Sequence, residues 1–71
     1  MNILFTKRFN EVLSYSKISQ TELAARVNVS KQCISDYKSG KSFPSIQTLF
    51  LICKVLEVSA DYLLGLTDEY K

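Results

Sequence analysis

Two helix-start signals stand eleven residues apart near the middle of the chain, at Ser19 and Ser30. Ser19 and Glu22 have the S-x-x-E spacing of a capping box, in which each side chain satisfies a free backbone N–H of the helix's first turn. Ile18, just before the cap, is placed to staple onto Leu23. Leu23, Ala24 and Val27 then supply one inner face, and Asn28 is the best substitute for glycine where a helix must end in the left-handed conformation. Ser30 is a good N-cap for a new helix beginning at Lys31. What remains between the two helices is the three-residue turn Asn28-Val29-Ser30. Val29 can tuck beneath such a turn, and the small Ala24 lets the helices approach. Few packings tolerate two short capped helices joined so tightly.

The rest of the chain reads as helical too. Its 71 residues contain two glycines and one proline. No stretch alternates apolar and polar residues between turn signals, as a half-buried strand would. A first helix is expected from Ile3 to Tyr15, with Phe5, Phe9, Val12 and Leu13 as its apolar stripe and Lys7, Arg8 and Glu11 off it. Gly40 is the natural residue to close the helix that starts at Lys31. Pro44 and Ser45 open a fourth helix, Ile46 to about Glu57. Its stripe is Ile46, Leu49, Phe50, Cys53 and Leu56, widened by Leu51, Ile52 and Val55, and it is expected to be the most buried element. Ser59 caps a fifth helix, "ADYLL", closed by Gly65. The fold class is therefore all-α: one compact five-helix domain over residues 1–71, with its core at about 3–65, a central helix-turn-helix at 20–39 and a frayed tail at 66–71. A chain of this length buries only about 60% of the surface its unfolded form exposes, so its stability is marginal.

One surface has no packing partner in this scheme. In the helix Lys31–Ser39, Ile34 and Tyr37 point inward, which leaves Lys31, Gln32, Ser35, Asp36 and Ser39 outside. Between Arg26 and Lys41 there are four basic residues, Arg26, Lys31, Lys38 and Lys41, against the single acid Asp36. A local basic patch is the footprint of a polyanionic partner. A polar helix face on its own is equally a solvated face, so the decision falls to the motif around it.

That motif resembles the helix-turn-helix domain shared by lambda-type phage Cro and repressor proteins, the XRE family. The resemblance is carried by "SQTELAARVNVSKQCISDYKSGKSFPSIQTL", at Gln20, Leu23, Ala24, Val29, Ser30, Gln32, Ile34, Ser35, Gly40, Lys41, Pro44 and Leu49, and by the closing "LEVSADYLLGLT". It implies a lambda-repressor-like fold and a sequence-specific double-stranded DNA-binding transcriptional regulator, a repressor, with a recognition helix Lys31–Ser39 in the major groove. The residues matching base-facing positions are Lys31, Gln32 and Asp36. Those matching phosphate-holding positions are Gln20, Thr21, Ser30, Ser35, Lys38, Ser39 and Lys41. Gln suits an adenine edge, Lys a guanine, and Asp could accept from cytosine N4. The pattern departs from the family in two ways. Asn28 stands where glycine is usual in the turn. The arginine–glutamate pair that often ties the first helix to the recognition helix is replaced by Leu13 and Lys38, which predicts an apolar contact and a Lys38 free to reach a phosphate. Asp36 carries the wrong sign for phosphate, and is expected either to reject wrong sequences or to be neutralised by Lys31 or Lys38.

A single module of this size buries only about 600–1,000 Å² on DNA, so specificity calls for two copies on an inverted repeat. The homodimer surface expected from spare apolar residues comprises Phe43, Leu51, Val55, Leu63 and Leu66. The alternative function is an antitoxin-like or adaptor protein whose main partner is another protein. An enzyme is disfavoured: there is no histidine, no glycine-rich phosphate loop and no recognisable carboxylate pair. No cofactor or metal is expected. Cys33 and Cys53 fit reduced thiols rather than a disulfide scaffold. The N-terminus lacks a long apolar stretch with a cleavage site, and "LFLIC" is too short to span a bilayer. The expected location is the cytoplasm, at the nucleoid, in a prokaryotic or phage setting.

Overall fold

A computed structural model describes residues 4–69. Five α-helices follow in chain order: α1 Leu4–Ser16, α2 Gln20–Arg26, α3 Lys31–Ser39, α4 Ile46–Leu56 and α5 Ala60–Leu64. Among the described residues no strand occurs, and no helix is long and apolar enough to cross a membrane. The expected residues Ile3, Tyr70 and Lys71 lie outside the described part of the chain.

Four serines fix where the helices begin. The Oγ atoms of Ser19, Ser30, Ser45 and Ser59 accept the N–H groups of Glu22, Cys33, Thr48 and Tyr62 respectively. Each fills one of the free donors of a first turn, a contribution of about 1 kcal/mol per cap. At Ser19 only half of the capping box forms: the Glu22 carboxylate lies 3.6 Å from Arg26 Nε, one turn on, rather than reaching back to the cap.

Left-handed residues fix where helices end. Asn28 has φ 59° and Gly40 φ 85°, as expected. Lys17 (φ 65°) and Glu57 (φ 55°) adopt the same conformation without the usual residue type. At Glu57 the reversal sends the Val58 N–H back to the Cys53 carbonyl and drops Val58 into the core.

The spine of the core is α1, not α4. Phe5, Phe9, Val12 and Leu13 are all buried, and α1 packs against α3, α4 and α5. Phe5 stacks on Phe9 with ring centroids 5.4 Å apart, and Phe9 meets Tyr37 of α3 edge-on at 6.2 Å. In α4 only Ile52 and Leu56 are buried, whereas Ile46 is 87% exposed and Phe50 59%. The reason is angular. At about 100° per residue, Phe50 stands roughly 160° around the helix from Ile52. The burying face passes through Leu49, Ile52 and Leu56, and a helix apolar all round does not reveal that choice. The expected dimer surface needs correction as well. Leu63 is completely buried and cannot face a partner, while Leu51 and Val55 are packed partly against the core.

The start of the tail is held rather than frayed. Arg8, expected to lie off the packed stripe, donates from Nη1 to the carbonyls of Tyr62 (2.7 Å) and Thr67 (2.6 Å). Its Nη2 meets Asp68 Oδ1 at 2.9 Å, and its guanidinium lies over the Tyr62 ring, 4.2 Å from the centroid.

Candidate nucleic-acid interface

The turn between α2 and α3 places α3 across the front of the domain. Leu23, Ala24 and Val27 bury the inner side of α2, and the Val29 N–H returns to the Ala24 carbonyl at 3.0 Å. Val29 packs against the core beneath the turn. Ile34 and Tyr37 fasten α3 from behind. Burial pushes the Tyr37 phenol above its ordinary value, and the neighbouring Cys33 and Asp36 add to the shift.

The opposite face of α3 is open. Lys31, Gln32 and Ser39 are exposed, and Ser35 and Asp36 are half-buried. Lys41 follows just past Gly40 and is exposed, its backbone N–H folded back onto the Asp36 carbonyl at 3.0 Å. Thr21, in the first turn of α2, is also exposed. The Ser30 hydroxyl is occupied by its cap and also donates to Cys33 Sγ at 3.3 Å, and the Ser39 hydroxyl donates to the Asp36 carbonyl.

Several of these side chains are wired together. Gln32 Nε2 donates to Asp36 Oδ1 at 3.0 Å. The partner of Asp36 is thus an amide. Neither Lys31 nor Lys38 forms an ion pair with it. Nor is Lys38 free: its Nζ donates to Gln20 Oε1 at 3.1 Å, and Gln20 Nε2 in turn donates to Ser35 Oγ at 3.3 Å. Leu13 of α1, buried and apolar, lines the same cleft as Lys38 and offers it no acceptor, and the ammonium bonds an amide oxygen instead.

Sequence reasoning missed Asn10. Its Nδ2 donates both to the Thr6 carbonyl within α1 and to the Lys38 carbonyl in the last turn of α3, at 2.8 and 2.9 Å. That carbonyl is one of the four that a helix C-terminus leaves without an internal partner. Asn10, Gln20, Ser35, Lys38 and Ser39 line an open cleft where α1, α2 and α3 meet. A polar residue at the edge of the α1 stripe was the available signal, but its partner lies 28 residues away. Cys33 and Cys53 are free, half-buried thiols, and burial raises the pKa of Cys53.

Residues 16–63 match the family model described as Helix-turn-helix. The chain belongs to this family. As a helix-turn-helix protein it resembles the uncharacterized HTH-type transcriptional regulator YobD of Bacillus subtilis (strain 168), with 26% identity over 93% of this chain and 59% of the relative. It is 32% identical to the HTH-type transcriptional activator BcrR of Enterococcus faecalis, over 86% of this chain and 30% of that protein. A third relative, the uncharacterized HTH-type transcriptional regulator YqaE of B. subtilis, is 28% identical over 86% of this chain and 53% of its own length. The chain therefore spans between about a third and three fifths of the relatives it matches. No solved structure matches it significantly.

Proposed function

We propose that this helix-turn-helix domain reads double-stranded DNA in a transcriptional regulator, with α3 seated in the major groove. The carrying observation is the division of α3 into two faces. Ile34 and Tyr37 are buried, while Lys31, Gln32 and Ser39 are left open beside the exposed Lys41. Lys31, Gln32 and Asp36 face base edges. Gln20, Thr21, Ser30, Ser35, Lys38, Ser39 and Lys41 surround them as phosphate contacts. Lys38 keeps donors beyond the one given to Gln20, because an ammonium has three. A helix held from behind and open in front is what base readout needs, since side chains must meet base edges within tenths of an ångström. The three relatives, all named as transcriptional regulators, support the same reading.

The regulator acts as a homodimer on an inverted repeat at the nucleoid, and represses. The surface available for a second copy consists of Phe43 and Leu66 from the expected set, together with Ile46 and Phe50, all exposed. The test is selection of duplexes from a random pool, followed by footprinting and a reporter driven from the selected site. Enrichment of two half-sites centred about 10–10.5 base pairs apart supports the dimeric reading. A reporter activated by the protein reverses the sign. No enrichment, with tight capture of a protein partner, replaces the proposal with an adaptor.

A further inference from the structure

The Gln32–Asp36 contact does more than occupy two polar side chains. The residues are i,i+4 neighbours on the open face of α3, and the amide nitrogen of Gln32 donates to the carboxylate at 3.0 Å. A side-chain amide can turn over, exchanging its donor and acceptor ends, and a solvated glutamine offers a base either end. A carboxylate accepts only. It therefore dictates which end of the amide faces it: turning the amide over would set Oε1 against Oδ1. With one of its two N–H groups held, Gln32 presents outward one N–H and the Oε1 acceptor.

That remaining pair matches one base edge. Adenine offers N7 as acceptor and the N6 amino group as donor in the major groove, whereas guanine offers two acceptors, N7 and O6. One N–H and one oxygen complement adenine. They fail against guanine, whose O6 acceptor would be set against the Oε1 acceptor. We propose that Asp36 is a positioning residue that acts through Gln32, locking the amide in the orientation that reads adenine, rather than a reader of its own base pair. This rests on the DNA-binding reading above, and departs from the expectation that Asp36 accepts from cytosine N4.

The test compares the parent, Gln32→Ala, Asp36→Ala, Asp36→Asn and the Gln32→Ala/Asp36→Ala double variant on the selected duplex. Each base pair of a half-site is replaced in turn, and a scrambled duplex reports non-specific binding. The parent should prefer adenine over guanine at one position by roughly 5- to 150-fold, the discrimination of a bidentate pair. Gln32→Ala and Asp36→Ala should both reduce the preference at that same position to a few-fold, with the double variant no worse than either. Asp36→Asn, whose amide can turn either its oxygen or its NH2 toward Gln32, no longer dictates the orientation and should relax the preference at that position as well. On the scrambled duplex Asp36→Ala should bind more tightly than the parent, because a negative charge near phosphate is gone, while Gln32→Ala should bind equally. In the DNA-free protein, Asp36→Ala should shift the Gln32 side-chain amide proton resonances. The proposal is overturned if Asp36→Ala erases preference at a different base pair from Gln32→Ala, if it leaves the Gln32 position intact, or if that position selects guanine. A parent that binds every duplex alike overturns the DNA-reading proposal itself, an outcome separable from the first three.

Discussion

Replacing Arg8 by alanine should unlatch α1 from the end of the chain, at a cost large for a domain this small. The guanidinium donates to two backbone carbonyls, at 2.7 and 2.6 Å, and its side chain is only 13% exposed. Hydrogen bonds from a charged group contribute about 1.5–3 kcal/mol each. Stacking over Tyr62 adds about 0.5–2 kcal/mol. Two terms oppose these. The buried guanidinium carries a desolvation cost that alanine avoids, and the Thr67 carbonyl regains water once the side chain is gone. The ion pair with Asp68 contributes little, since that carboxylate is fully exposed. The net loss for Arg8→Ala is then about 2–3 kcal/mol, a fall of roughly 10–20 °C in Tm for a domain of this size. Arg8→Lys keeps the charge but not the planar guanidinium that lies over Tyr62 while one of its nitrogens holds both carbonyls, and should lose about half as much. Asp68→Asn should leave the midpoint where it was. Thermal and urea unfolding followed by far-UV circular dichroism measures all three. The reasoning is refuted if Asp68→Asn costs as much as Arg8→Ala, or if Arg8→Ala moves the midpoint by less than about 3 °C.

Three further outcomes follow from separate features. Asn28 at φ 59° should accept glycine with unchanged or slightly raised stability, whereas Asn28→Ile should cost more than about 1 kcal/mol in the same melts, because a β-branched side chain is disfavoured in that conformation. Lys41→Ala should weaken specific and scrambled duplexes alike and lower the salt slope of binding by about one, as expected for a phosphate contact. Stability should decline in alkali: burial raises the pKa values of both Cys53 and Tyr37, so the folded state holds protons that the unfolded chain releases. That contribution is complete below the unfolded cysteine value, about 8.5, and is lost as pH climbs through the higher folded values; Cys53→Ala should remove the earlier part of the decline in melts taken from pH 7 to 11.

The helix boundaries were legible because their signals are local. A serine cap and its acceptor are three residues apart, and a left-handed terminus needs only glycine or asparagine in the right place. Thus Ser19, Ser30, Ser45, Ser59, Asn28, Gly40 and Gly65 placed four helices to within a residue or two. The burying face of α4 was not legible, since apolar residues surround that helix and periodicity cannot choose among them; only the positions of α1, α2 and α5 decide that Ile52 is covered and Phe50 is not. Leu63 was misplaced for the same reason. Arg8 was invisible as a latch because its acceptors lie 54 and 59 residues away, and nothing near either end of those contacts announces the other.

The same distinction explains how the open face of α3 is held. Its Gln32–Asp36 pair is within one helix, and its spacing could be read from sequence as an i,i+4 contact. The brace behind it could not. Two elements converge on Lys38: Asn10 of α1 takes its backbone carbonyl, and Gln20 of α2 takes its ammonium while also reaching Ser35. Where many family members use an arginine–glutamate ion pair to join the first helix to the third, this chain substitutes neutral amides at two points of one residue. An ion pair that is partly exposed weakens as salt rises, whereas amide bonds to a carbonyl and to an ammonium are less sensitive to it. The orientation of α3 should therefore vary little with ionic strength. The salt dependence of DNA binding would then come from the counterions displaced at phosphates, not from loosening of α3.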